Sequence, residues 1–153
     1  MPWASYEHKS IKLIKIMKTL KLTIAVLAFL FVGVAANAAA RKITKTDVVN
    51  IYIDAIANGK TQGLDNVLDN DMQFNTRRGE NITTIDKNTF LDFLTKNGAG
   101  AAPLNTSTTV IQDDENTQKI KVDFKYDGYV RSDVLTLSRT TGWVITNVTS
   151  TTK

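Results

Sequence analysis

The hydrophobic pattern of this 153-residue chain changes from helical to alternating near residue 104. Before that point, apolar residues recur every three or four positions, as they do on one face of an α-helix. After it, four runs rich in Thr, Val, Ile and aromatic residues are separated by turn sequences, which is typical of antiparallel strands. Helices followed by a strand meander predict an α+β domain, with helices packed on one face of a curved sheet.

Three helices are predicted before the meander. The first spans Thr44–Gly59, where Thr44 and Asp47 resemble a capping box and Asn58-Gly59 supplies a left-handed end. The second is a short helix over Gly63–Leu68, followed by a strand pair within residues 72–85. The third begins after Asp86 and is expected to bury Phe90, Leu91, Phe93 and Leu94. The predicted order of elements is therefore α-α-β-β-α-β-β-β-β.

The Asp127-Gly128 dipeptide predicts a two-residue hairpin and thereby fixes a register for the meander. The residues that flank such a turn pair directly, and side chains alternate between the two faces of the sheet. Trp143, which opens the last strand, is expected to be largely buried. The predicted inner face comprises Ile120, Val122, Phe124, Tyr126, Tyr129, Arg131, Asp133, Leu135 and Leu137, extended on the last strand by Trp143, Ile145 and Asn147.

Arg131 and Asp133 are the two charged residues on this otherwise apolar face. A buried charge without a partner is costly, so we expect them to pair with each other, to face a polar cavity, or both. The sequence leaves open whether they form a structural ion pair or contact a ligand. A β-bulge that shifted the register would instead place both in solvent.

The order of elements resembles that of the nuclear transport factor 2-like superfamily over nearly the whole chain after residue 38. Local sequence agrees at Val48–Gly59, at Lys121–Tyr129 and at Gly142-Trp143, which opens the last strand. Within the superfamily the chain looks most like the small bacterial proteins labelled "putative lumazine-binding". The resemblance implies a cone-shaped fold whose inner sheet face lines a pocket.

This resemblance implies that the ligand-binding residues lie on the inner face of the sheet. Tyr52, on the first helix, is expected to be a core residue rather than a catalytic one. Arg77-Arg78 predicts a solvated turn, with anion binding as the alternative. The ligand-binding residues predicted from the inner face are Phe124, Tyr126, Tyr129, Arg131, Asp133 and Trp143.

Residues 1–38 predict a cleavable signal peptide, which leaves residues 39–153 as a single exported domain, periplasmic or secreted. A run of lysines precedes the apolar stretch Leu22–Val34, and Ala36-Asn37-Ala38 supplies a cleavage site after Ala38. Contact with the membrane would then be transient. A membrane anchor is the alternative, although the stretch is shorter than the roughly 20 residues that span a bilayer. Met17 is an alternative start.

Charge and composition exclude several classes of function. The chain carries 19 basic and 15 acidic residues, and the leader holds five of the basic residues and one of the acidic ones. Residues 39–153 therefore have no net charge and no basic stripe of the kind that binds nucleic acid. The chain has no cysteine, and its one histidine, His8, lies in the leader. We expect no metal site and no cofactor.

Two functions fit these observations. The first is a binding module that holds a small, partly apolar molecule or a partner segment in the pocket, with a homodimer left open. The second is an enzyme resembling the ketosteroid-isomerase and polyketide-cyclase members of the superfamily, in which Asp133 would carry a proton and Tyr52 or Tyr126 would stabilise an enolate. The lack of His and Cys after residue 38 favours the binding module.

Overall fold

A computed structural model describes residues 42–98 and 100–153, so the predicted signal peptide lies outside the described residues. Within the described part, no helix is both long enough and apolar enough to cross a membrane. The observed order confirms the predicted one. The elements are helices α1 (Lys45–Asn58), α2 (Leu64–Val67) and α3 (Lys87–Asn97), and strands β1 (Leu68–Arg78), β2 (Asn81–Asp86), β3 (Asn105–Asp113), β4 (Thr117–Lys125), β5 (Val130–Arg139) and β6 (Trp143–Thr152).

The strands form one six-stranded sheet in the order β2-β1-β6-β5-β4-β3. Neighbouring strands are antiparallel except for β1 and β6, which are parallel. The core lies between the inner face of this sheet and the helices. Its largest fully buried side chains include Tyr52 from α1, Phe90 from α3, Met72 from β1, Phe124 from β4 and Leu135 from β5.

Helix α1 begins as the sequence predicts. The Asp47 backbone N–H donates to Thr44 Oγ1 at 3.2 Å, and the Thr44 N–H donates to Asp47 Oδ2 at 2.9 Å, which completes the capping box. The helix ends at Gly59, whose φ of 66° is left-handed. The apolar stripe between these ends turns Val48 and Tyr52 into the core, where neither is exposed.

The hairpin between β4 and β5 also forms in the predicted register. The Tyr126 N–H donates to the Tyr129 carbonyl at 2.9 Å, and the two rings stack with their centroids 4.7 Å apart. Farther along the strands, Phe124 pairs with Arg131 and Val122 pairs with Asp133. The prediction that Arg131 and Asp133 share the inner face is therefore confirmed.

Strand β6 contains a bulge that the sequence analysis missed. Thr136 pairs with Asn147 while the next residue of β5, Leu137, pairs with Ile145, so β6 has one extra residue at this point. Beyond the bulge, Val148 and Ser150 are the buried residues. The prediction that Asn147 extends the inner face is wrong, because an extra residue reverses the alternation of side chains.

Trp143 and Phe93 are less buried than predicted. Trp143 lies at the first position of β6, at one end of the sheet, where it is only partly buried and the Lys45 Nζ lies 4.5 Å from its ring centroid. On α3, Phe90 and Leu94 face the sheet, and the Phe90 ring stacks on Phe74 at 4.5 Å. Phe93 lies on the flank of that stripe and is 57% exposed.

We expect the Trp143→Ala variant to lose less stability than Phe124→Ala. Phe124 is completely buried, and deleting such a ring costs about 3–5 kcal/mol. Trp143 keeps part of its surface in water, so its truncation removes less buried area. Urea denaturation of the two variants gives the comparison. An equal or larger loss in Trp143→Ala would show that this end of the sheet is packed more tightly than the structure indicates.

Lys87, the first residue of α3, contacts the junction between α2 and β1. Its Nζ donates to the carbonyls of Asp65 at 2.9 Å and Leu68 at 3.0 Å, and it lies 2.9 Å from the Asp65 carboxylate. The preceding residue, Asp86, caps the helix as predicted, since its Oδ1 accepts from the Thr89 N–H at 2.8 Å. This buried ammonium fixes α3 against the start of β1.

Strand β3 is the outer strand at one edge of the sheet, and almost all of its residues are exposed on both faces. Val110 and Ile111 are each more than half exposed, and the pairing with β4 is interrupted by a bulge between Val110 and Gln112. Asp113 ends the strand and accepts a hydrogen bond from the Lys45 Nζ. This edge therefore lies largely outside the core.

Candidate functional site

Tyr52, Arg131 and Asp133 form a hydrogen-bonded triad on the inner face of the sheet. The Tyr52 hydroxyl donates to Asp133 Oδ2 at 2.7 Å. Arg131 Nε donates to Asp133 Oδ1 at 2.9 Å, and Arg131 Nη2 lies 2.8 Å from Asp133 Oδ2. Tyr52 and Asp133 are completely buried, whereas 24% of the Arg131 side chain is exposed. The triad is thus closed at one end and open at the guanidinium.

The sequence positions each member of the triad by a local rule. Alternation along β5 places Arg131 and Asp133 two residues apart on one face. The apolar stripe of α1 turns Tyr52 towards the same face of the sheet, so its hydroxyl reaches the Asp133 carboxylate from the helix side. Phe124 and Phe74 form cation–π contacts with the guanidinium, and Arg131 Cζ lies 5.9 and 5.8 Å from their respective ring centroids.

Burial and charge fix the protonation of Tyr52 and Arg131. Burial, and then the neighbouring negative charge of Asp133, raise the pKa of Tyr52 well above its usual value, so the hydroxyl keeps its proton. Burial acts to lower the pKa of Arg131, but interactions with Tyr52 and Asp133 outweigh it, and the pKa is raised overall. Arg131 therefore remains charged and Tyr52 remains a donor.

The carboxylate of Asp133 is fully engaged within the triad. Its Oδ1 accepts from Arg131 Nε, and its Oδ2 accepts from the Tyr52 hydroxyl and forms an ion pair with Arg131 Nη2. The Tyr52 hydroxyl and this carboxylate thus converge on each other, with no exposed surface on either side chain. Acid–base catalysis requires the catalytic group to lie within hydrogen-bond reach of the reacting atoms. In this arrangement, Asp133 instead orients Arg131.

A cavity of about 270 Å³, which we call the inner cavity, opens beside the Arg131 guanidinium. Helix α3 forms one wall, and strands β2, β1, β6 and β5 form the other. Half of the lining residues are apolar and the other half carry hydroxyl or guanidinium groups. The lining residues are Phe74, Ile85, Phe90, Phe93 and Leu94, together with Thr76, Arg78, Arg131, Ser150 and Thr152.

A second cavity of about 250 Å³, the tyrosine cleft, lies on the other side of Arg131. Arg131, Phe93 and Leu94 line both cavities, so the exposed Phe93 ring stands between them. Burial raises the pKa of Tyr126, one of the tyrosines in this cleft. The remaining residues that line the cleft are Ile56, Asn97, Gly98, Gly100, Ala101, Tyr126 and Tyr129.

The structure brings most, but not all, of the predicted ligand-binding residues together. Arg131 lines both cavities, with Asp133 behind it and Phe124 beside its guanidinium. Tyr126 and Tyr129 line the tyrosine cleft. Trp143 does not join them, because it lies at the opposite end of β6, in a surface depression with Lys45 and Arg139. Among the described residues, no group of three His, Cys, Asp or Glu side chains is placed to hold a metal ion.

Several residues of the inner cavity were not predicted. Ser150 and Thr152 were missed because the bulge in β6 reverses the alternation of side chains beyond Asn147. Phe74 and Phe90 were missed because they lie outside the meander. Arg78, assigned to a solvated turn with anion binding as the alternative, lies at the end of β1 and lines the cavity.

Residues 40–149 match the family described as "Putative lumazine-binding". The chain belongs to this family. No curated protein matches the sequence. Among solved structures, the protein is similar to an NTF2-like protein of unknown function from Silicibacter pomeroyi, with 15% identity, a TM-score of 0.56, and coverage of 71% of this chain and 92% of that one.

Two further structures share the fold of this lumazine-binding-like protein. An NTF2-like protein of unknown function in nutrient uptake from Rhodospirillum rubrum has 19% identity and a TM-score of 0.56, over 71% of this chain and 97% of that one. An NTF2-like protein of unknown function from Methylobacillus flagellatus has 18% identity and a TM-score of 0.54, over 71% and 88%. At these identities, the likeness establishes the NTF2-like fold.

Proposed function

We propose that this protein is a binding module that holds a small, partly apolar molecule in the inner cavity. The observation that carries the proposal is the guanidinium of Arg131, which is fixed by Asp133 and presented to a cavity with aromatic walls. Ligand sites are typically apolar concavities with a few fixed polar groups. A group that is already ordered loses little entropy when a ligand binds. Membership of the lumazine-binding-like family agrees with this role.

The geometry favours binding over the ketosteroid-isomerase-like alternative. That alternative requires a carboxylate that reaches the substrate. Asp133 has no exposed surface, and both of its oxygens accept hydrogen bonds from Arg131 or Tyr52. Tyr126 faces the tyrosine cleft and makes no hydrogen bond to Asp133 within the described residues. Asp133 and Tyr52 therefore support the position of Arg131, and Tyr126 lies apart from both.

Native mass spectrometry of the protein purified from its own host tests the proposal. We expect a retained small molecule in the wild type and in Thr151→Phe, but not in Thr152→Phe. Thr152 lies at the mouth of the inner cavity, whereas Thr151 is the adjacent residue, and its hydroxyl donates to the Ser132 carbonyl. Equal retention by the two variants, or bare protein in all three samples, would count against the inner cavity as a binding site.

We further propose that the protein is exported and cleaved after Ala38. The basic, apolar and small-residue segments of residues 1–38 support this proposal. Intact-mass analysis of protein made in a Gram-negative host should place the N-terminus at Ala39, within about two residues, because peptidase sites of this kind tolerate small shifts. Recovery of full-length chain in the membrane fraction would favour the membrane-anchor alternative.

A further inference from the structure

We infer that the ligand of the inner cavity is a small organic anion, with one negative charge attached to an apolar body. This inference rests on the proposed function, because it assigns a ligand class to the same cavity. Three features of the cavity support it: the placement of two arginines, the charge balance of the lining, and a serine hydroxyl without a protein partner.

The strand register places Arg131 and Arg78 on one face of the sheet. Arg131 of β5 pairs with Thr152 of β6. On the other side of β6, Thr151 is level with Arg77 of β1, so the next residue, Arg78, lies alongside Thr152. Adjacent strands are about 4.8 Å apart, so the two arginine backbones are separated by about 10 Å. Both side chains line the inner cavity, one from each side of Thr152.

The lining of the cavity has a surplus of positive charge. None of the described residues that line it is acidic, and Asp133, directly behind Arg131, balances one of its two arginines. Arg78 forms no ion pair with any of the residues that the structure describes. One positive charge therefore remains for a ligand, and this balance matches a single carboxylate group and disfavours a cation.

Ser150 supplies a hydroxyl group in the floor of the cavity. It is only 5% exposed, and it lies between Asp133 on β5 and Thr76 on β1. Its hydroxyl lines the cavity and makes no hydrogen bond to another described residue. A hydroxyl that lines a cavity without a protein partner is free to donate its proton, so this site favours a ligand that carries an acceptor group.

The apolar residues of the lining determine the rest of the ligand. Phe74 and Phe90 stack at 4.5 Å, and Ile85 extends the apolar surface. The cavity volume of about 270 Å³ exceeds the roughly 150 Å³ of an engineered apolar cavity that binds benzene. One aromatic ring with a short acidic side group therefore fits, with the ring against the phenylalanines and the anion between the arginines.

Phenylacetate and phenylacetamide have nearly the same shape, but only phenylacetate is charged. A comparison of their binding therefore tests the effect of ligand charge alone. Isothermal titration of the purified protein should show that the acid binds at least about tenfold more tightly than the amide, since charge-assisted hydrogen bonds are lost with the charge. The Arg78→Gln variant should reduce this preference about tenfold for the same reason. Arg78 is exposed and outside the triad, so folding should be unaffected.

Arg77→Gln is the matched control. Arg77 is the adjacent arginine, and its Nε donates to the Gly79 carbonyl at 3.3 Å rather than lining the cavity. The Arg77→Gln variant should therefore leave the preference for phenylacetate over phenylacetamide unchanged. Equal binding of acid and amide, or equal losses in both arginine variants, would overturn the anion inference and leave the binding function intact. If neither probe binds at millimolar concentration, both proposals fail.

Discussion

Replacing Arg131 alone by methionine is expected to lower the free energy of unfolding by about 3–5 kcal/mol, because it leaves a buried charge without its partner. Asp133 has no exposed surface from which its charge could be solvated. Asp133→Leu should cost less, since 24% of the Arg131 side chain already reaches solvent. In Asp133→Leu, the free energy of unfolding should fall by about 1–3 kcal/mol, chiefly because the Tyr52 hydroxyl no longer has an acceptor.

The double variant, with Arg131→Met and Asp133→Leu together, should recover most of the stability lost in Arg131→Met. Replacing a whole buried ion pair by apolar residues is often close to neutral, whereas removing one partner is not. Adding Tyr52→Phe should recover more, because it removes the last unpaired polar group. Urea denaturation of the single, double and triple variants gives the coupling energy between Arg131 and Asp133.

The chain offers a matched control for this cycle on the outer face of the sheet. Lys121 and Asp123 are also two residues apart on one strand, with Nζ 2.8 Å from the carboxylate, but both are partly exposed. Exposed pairs contribute about 0–1 kcal/mol, so Lys121→Met and Asp123→Leu should show weak coupling. Similar small, additive effects at both pairs would place Arg131 and Asp133 in solvent and remove the basis of the binding proposal.

The Lys87→Met variant is expected to lose about 1.5–3 kcal/mol, the range for hydrogen bonds that involve a charged group. Its Nζ donates hydrogen bonds to the carbonyl of Asp65 in α2 and to the carbonyl of Leu68, the first residue of β1. Methionine keeps the apolar stem and removes the ammonium, so these carbonyls lose a buried partner. The midpoint and slope of urea denaturation measure the change.

Lys96→Met, on the same helix, is the control for Lys87→Met. Lys96 pairs with Asp92 at 2.6 Å, and both side chains are largely exposed. Such a pair within one helix contributes about 0.3–0.5 kcal/mol. Equal losses in the two variants would indicate that the buried contacts of Lys87 add nothing beyond an ordinary surface pair.

The parts of the fold and site that follow from local chemistry could be predicted from the sequence. The Asp127-Gly128 turn fixed the register that places Arg131 opposite Phe124 and Asp133 opposite Val122, and the structure has these pairs. The capping box at Thr44 likewise depends on residues three positions apart. In each case, the partners are neighbours in sequence or are related through a single tight turn.

The contacts that complete the site could not be predicted in the same way. Tyr52 and Asp133 are 81 residues apart, and their hydrogen bond depends on how α1 docks on the sheet. The bulge in β6 lies within a run of Thr, Asn and Val residues that gives no signal for an extra position, yet it decides that Ser150 rather than Thr149 faces inward. Alternation alone therefore assigned the wrong residues to the end of that strand.

The exposed strand β3 has a consequence for the behaviour of the protein at high concentration. From Asn105 to Gln112 the strand carries no charge and no proline, and its free edge can accept another strand. The bulge between Val110 and Gln112 bends this edge, which is one of the devices by which native sheets resist aggregation. Ile111 is the extra residue of this bulge, so its deletion is expected to leave a flatter, uncharged edge that is more open to self-association.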